Sequence, residues 1–161
     1  MMTKMTIGSG EIGFKGAPYE VWNSAVFINT SKASSAEWNG LYVGVTEQIA
    51  DDNVEAPGAS GTGVAYVHRV SVAGSLDVYS FDDEYLRRGD IGGDEKAAYV
   101  KKVLGLDGAR PLMQQLGELG VCYRGPLNEE GDVEIVIPVA LAGRVQMLKV
   151  KDIRFRGFCR V

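Results

Sequence analysis

One histidine and two cysteines in 161 residues are too few for the ligand clusters that hold zinc and similar metals. Cys122 and Cys159 have neither metal spacing nor a CxxC motif; both fall in strand-like segments and are expected as buried free thiols that could be sheet neighbours. The lone histidine, His68, sits between Val67 and Arg69 in a strand-like run, and no Gly-x-Ser-x-Gly elbow accompanies it. A Ser/His/Asp triad is therefore without support, and a sheet histidine making one hydrogen bond is expected. No apolar run approaches the roughly 18 residues of a membrane helix. Met1-Met2-Thr3-Lys4-Met5 leads into polar and glycine residues rather than an apolar signal core, which points to action in a cytoplasm. Gly8-Ser9-Gly10 lacks the strand, helix and lysine of a phosphate-binding loop.

What is present is the composition of one globular domain, 45% apolar and 24% charged. We read residues 1–161 as that domain, with 1–11 as a lead-in. Net charge is −4 but uneven: Arg144, Lys149, Lys151, Arg154, Arg156 and Arg160 face a single acid, Asp152, in the last eighteen residues, leaving −9 on the rest. A solvated edge strand guarded by positive charge is the simpler reading of this stripe. Steering of an anionic ligand or nucleic acid is the other.

The 21 glycines punctuate many short elements. A strand is expected at Ile12–Lys15, then a helix from Pro18 with Val21, Trp22 and Ala25 on one face, then a serine-rich loop over 31–35. Gly40 to Asn53 reads as a strand, an N-cap at Thr46 and a short helix. Strands follow at 63–71 and 76–81, and helices at 94–104 and 109–118, the second closed by Gly117 and Gly120. Strands return at 121–123, 132–137, 145–150 and 153–158. This order favours an α+β fold with antiparallel or mixed sheets and helices packed alongside, not a doubly wound one.

Three segments stand in a suggestive order: Gly13-Phe14-Lys15-Gly16-Ala17-Pro18, then Gly40-Leu41-Tyr42-Val43-Gly44-Val45-Thr46, then Asp132-Val133-Glu134-Ile135-Val136-Ile137-Pro138. Together they resemble the ADP-ribosyltransferase superfamily of bacterial toxins. The first two are similar to the diphtheria-toxin branch, where a Tyr-His-Gly-Thr strand precedes an aromatic-Tyr strand and an alanine-containing helix. The third is similar to the Glu-x-Glu strand of the cholera-toxin branch, with Asp in the first acidic place.

The resemblance implies an NAD-binding cleft, with NAD as a substrate and no metal. It implies transfer of ADP-ribose to a macromolecular acceptor, protein or nucleic acid, or to a small molecule. A cognate immunity protein or antitoxin is a further implied partner. Glu134 would stabilise the oxocarbenium-like ribose, and Asp132 would handle the acceptor. Tyr42 would stack on nicotinamide. Gly16 would admit the carboxamide, and Lys15, Thr46 and Asn53 would complete the NAD contacts. Lys15 stands where the superfamily has His or Arg, and Asn53 where the diphtheria-toxin branch has its second tyrosine. The Ser-Thr-Ser motif of the cholera-toxin branch corresponds to Gly44-Val45-Thr46, of which only Thr46 matches. These departures leave open an NAD glycohydrolase and a catalytically degenerate binding module. A small hydrolase or antitoxin-like protein is the reading outside the superfamily.

Overall fold

The computed structural model describes residues 1–21, 36–52, 54, 63–128 and 130–161. Nine strands enter one sheet: β1 (Met2–Ile7), β2 (Gly10–Ala17), β3 (Gly40–Gly44), β4 (Gly63–Val72), β5 (Leu76–Phe81), β6 (Val121–Pro126), β7 (Val133–Pro138), β8 (Val145–Arg156) and β9 (Cys159–Arg160). Among the described residues the α-helices are α1 (Glu47–Asp52), α2 (Gly93–Leu104) and α3 (Leu112–Leu119). The strand order is β1-β5-β6-β7-β3-β2-β4-β8-β9. Every neighbouring pair is antiparallel except β5 and β6, whose long connection carries α2 and α3, as a parallel crossover requires. The fold is thus α+β with a mixed sheet. Among the described residues no helix is long and apolar enough to cross a membrane.

β2 and β3 are joined by a single pair, Phe14 with Gly44. Gly13 admits that close approach, because a Cβ there would lie 2.4 Å from the Gly44 carbonyl oxygen. On one side of the sheet, Ile12, Val70 and Val72 from the β2-β4 half share a core with Leu41, Val43, Ile135 and Ile137 from the β3-β7 half. On the other side α2 and α3 lay Ala97, Val100, Leu112, Met113 and Leu116 over Phe81, Tyr123 and Val136. Each such aliphatic side chain contributes roughly 1.5–3 kcal/mol when fully buried. A third cluster joins Ala50 of α1 to Ala65, Val67, Ile153 and Phe155.

Several local expectations hold. Residues 76–81 form β5, Thr46 Oγ1 accepts the Ile49 amide at 3.2 Å as an N-cap, and Gly120 closes α3 with φ +70°. Other elements differ. Residues 2–7 are not a lead-in but edge strand β1, in register with β5 from Met2–Phe81 to Ile7–Leu76. The strands expected at 145–150 and 153–158 are one strand, β8, which ends at Arg156 and is carried through by a register shift opposite Val67 and His68. The second helix begins at Leu112 rather than 109, because Pro111 takes its N-cap position. Pro18–Val21 are not helical, and the rest of the helix expected there, with the 31–35 loop, lies outside the described residues.

The cysteines are not neighbours, since β6 and β9 stand at separate places in the sheet. Cys122 is buried and its thiol is pushed up to about 12 by that burial, whereas Cys159 is exposed, contrary to expectation.

Candidate active site around Glu134

The register across four strands aligns the residues of interest. Tyr42 of β3 lies opposite Val136 of β7, which lies opposite Tyr123 of β6. One step along, Gly44 lies opposite Glu134, and Glu134 opposite Gly125. Phe14 of β2 extends that second row beyond Gly44. Directly opposed residues share a face, so Glu134, Tyr42 and Tyr123 all belong to the helix-covered side. Tyr42 and Glu134 are diagonal neighbours, about 7–8 Å apart by the geometry of such pairs.

Glu134 therefore stands half-buried between two glycines, with an aromatic wall beside it. Trp38 meets Tyr123 edge-on at 5.0 Å between centroids, and Phe81 stacks on Tyr123 at 5.5 Å. The Tyr123 hydroxyl donates to the Pro126 carbonyl at 3.1 Å. It also fills the space a side chain on residue 125 would need: a Cβ on Gly125 would lie 2.7 Å from it. The Tyr42 hydroxyl donates to the Trp38 carbonyl at 2.9 Å, and the Trp38 indole N–H donates to the Gly93 carbonyl at 2.8 Å. Burial, and after it the negative charge of Glu134, raises both phenols above their ordinary range. Tyr42 and Tyr123 are thus held neutral beside the carboxylate.

The other sequence candidates are distributed around this row. Asp132 precedes β7 by one residue, and its amide donates to Asn128 Oδ1 at 3.2 Å. Gly16 shares Phe14's side of β2, but the place of its missing Cβ is taken by α1 and its exit, 2.4 Å from Val54 Cγ2 and 2.9 Å from the Ala50 carbonyl oxygen. Thr46 is exposed and engaged as the α1 cap. Lys15, adjacent to Phe14, points to the opposite side of the sheet and pairs in register with His68. Asn53 lies outside the described residues. Tyr123, Gly125 and Trp38 were not singled out in the sequence, where an apolar strand and a lone tryptophan carry no motif.

His68 is fully buried in β4. Its Nε2 lies 2.8 Å from the Tyr19 carbonyl oxygen, an acceptor, so Nε2 carries the proton. Among the described residues Nδ1 has no hydrogen-bond partner. Burial first, and the positive charge of Lys149 second, lower its affinity for a second proton; the Tyr19 carbonyl and Glu20 oppose them. The folded pKa lies below the ordinary 6.5. The stabilising effect is whole above pH 6.5 and is lost as pH falls, because the unfolded chain gains a proton that the folded chain refuses. Thermal unfolding between pH 7.5 and 5.0 should show stability falling by at most about 1.4 kcal/mol per pH unit below 6.5. His68→Gln should flatten that slope; an unchanged slope would assign it to other groups.

Compared with models of known protein families the chain matches none, and it has no significant match among curated proteins.

Proposed function

We propose that this domain is an ADP-ribosyltransferase-like enzyme that cleaves NAD, with Glu134 as the catalytic carboxylate. The observation that carries the reading is the place of Glu134: a half-buried acid between Gly44 and Gly125, sharing a sheet face with Tyr42. In the reaction the bond between the ribose C1′ and the nicotinamide nitrogen breaks, and neutral nicotinamide leaves with the electron pair. Positive charge builds on the ribose, where a carboxylate stabilises it. The acceptor nucleophile then bonds to C1′ and passes its proton to a base, a role for which Asp132, just ahead of β7, is the candidate. Ile49 of α1 fills the space beside Gly44 and the Tyr123 hydroxyl that beside Gly125, so neither position has room for a side chain, and Tyr42 offers a flat ring edge at the margin. Macromolecular acceptors suit the reading, and water as acceptor would make the same site a glycohydrolase.

NAD at about one hundred times its Kd should raise the melting temperature by about 5–10 °C. Nicotinamide should accumulate over hours, as followed by liquid chromatography. A thermal shift without nicotinamide would replace the enzyme with a binding module. Neither effect would remove NAD from the reading altogether.

A further inference from the structure

Strands β8 and β9 form a hairpin whose pairing, Phe155–Arg160 and Arg156–Cys159, leaves Gly157 and Phe158 as the two turn residues. Both have positive φ, +58° and +70°, the pattern of a type I′ turn. That turn favours glycine or asparagine, and Phe158 is the one non-glycine with positive φ among the described residues. Its ring gains nothing from burial in exchange, for it is 63% exposed. A strained, solvent-facing aromatic at a hairpin tip is a poor choice for folding and a useful one for binding.

The surrounding charge indicates the ligand. Half of the basic stripe is consumed within the fold: Lys149 pairs with Glu20 and Asp152, Lys151 with Glu47 and Asp51, and Arg160 with Asp51. Arg154 and Arg156 are exposed and have no acidic partner among the described residues. Two residues apart on one strand, they point the same way, about 7 Å from one another. They flank a groove floored by Gly63, Val64, Phe155 and Val161. A flat ring, an apolar groove and two unneutralised guanidinium groups suit a ligand with flat apolar groups and regularly spaced negative charges.

We propose that the β8–β9 hairpin tip is a binding surface for single-stranded nucleic acid, with a base stacked on Phe158 and successive phosphates on Arg154 and Arg156. Stacking on an exposed ring tolerates any base, so the surface has little sequence preference. The acidic remainder of the chain repels the strand beyond this end, which confines the footprint and makes the binding weak and salt-sensitive. The inference is independent of NAD chemistry.

The test is fluorescence anisotropy of a labelled twenty-nucleotide oligothymidylate against the full chain at several salt concentrations. Two phosphate contacts on a single strand give a slope of log K against log salt of about −1.4. Arg154→Gln with Arg156→Gln should remove most of that slope. Phe158→Gly should weaken binding roughly 5- to 150-fold, the loss of one stacked base. It should also raise the melting temperature or leave it unchanged, because glycine accepts the turn geometry. That pairing of a sounder fold with poorer binding separates a ligand contact from a structural role. Absence of binding at low salt would overturn the proposal, as would unchanged binding by Phe158→Gly. So would displacement of the oligonucleotide by polyglutamate at equal charge concentration, which would make the surface a docking site for acidic protein.

Discussion

Glu134→Gln should lower nicotinamide release from NAD by about 100- to 1,000-fold while the variant melts like the parent. The substitution keeps size and hydrogen-bonding capacity and removes only the charge. At ~4 Å and an effective dielectric near 20, that charge is worth about 4 kcal/mol to a developing oxocarbenium ion. The same quantity is about three decades of rate. Every acceptor needs this stabilisation, water included, so hydrolysis and transfer should fall together. The fold accommodates the change because position 134 is half-buried at the start of β7, not in the apolar core. Asp132→Asn tests the division of labour. Its proposed task is the acceptor's proton, so labelled ADP-ribose transfer should suffer far more than nicotinamide release. If Asp132→Asn stops hydrolysis while Glu134→Gln spares it, the two roles are exchanged. If the parent releases nicotinamide and neither variant alters it, the catalytic carboxylate lies elsewhere.

Local chemistry was legible in the sequence where one stretch of chain decides the outcome. Thr46 ahead of Glu47-Gln48-Ile49 announced its cap, and the apolar alternation of 63–71 announced β4. Long-range pairing was not legible. Met2–Ile7 has no strong strand pattern of its own and becomes a strand because β5 offers its edge. The interruption at Lys151-Asp152 looks like a break, yet β4 holds both sides in one ladder across a bulge. At the candidate site, the motif order suggested that Tyr42 and Glu134 belong together, and the sheet register makes them diagonal neighbours. Period-two alternation then decides the rest: Phe14 joins their row, so its neighbour Lys15 faces away. The aromatic wall escaped notice because Trp38, Phe81 and Tyr123 are far apart in the chain and meet only once β5 pairs with β6 and the 36–38 turn packs against them. The basic stripe shows the opposite limit. Its composition was evident, but only the fold reveals that Lys151 and Arg160 turn inward to the acids of α1.

The least legible feature carries the largest stability effect: Lys101→Met should destabilise the domain by about 3–5 kcal/mol. Lys101 is 5% exposed, and its ammonium donates to Glu37 Oε2 at 2.6 Å and to the carbonyls of Gly108 and Arg110 at 3.0 and 3.1 Å. All three of its donor hydrogens are therefore placed. Glu37 uses its second oxygen, Oε1, to accept the Leu112 amide at 2.8 Å, capping the first turn of α3 from 75 residues away. One ion pair thus ties the turn at Ala36–Trp38, the end of α2, the 107–111 connection and the start of α3. Gln115 reinforces the connection, donating to the Asp107 and Arg110 carbonyls at 2.7 and 3.0 Å. Methionine fills the volume of the lysine stem but strands a carboxylate in a largely closed site and leaves the Gly108 carbonyl without its donor. For a chain of this size each kcal/mol moves the melting temperature by about 2–4 °C, so the midpoint should fall by about 6–20 °C. Removing both charges, with Glu37→Met and Lys101→Met together, ends the desolvation cost of each. The double variant should therefore lose less than the sum of the single losses, by about 0.5–3 kcal/mol of coupling. Urea unfolding of the two single variants, the double variant and the parent measures all four corners. A loss below about 1 kcal/mol for Lys101→Met would class the pair with exposed ion pairs, and the tie between α2 and α3 would then rest on Val100, Leu112 and Leu116 alone.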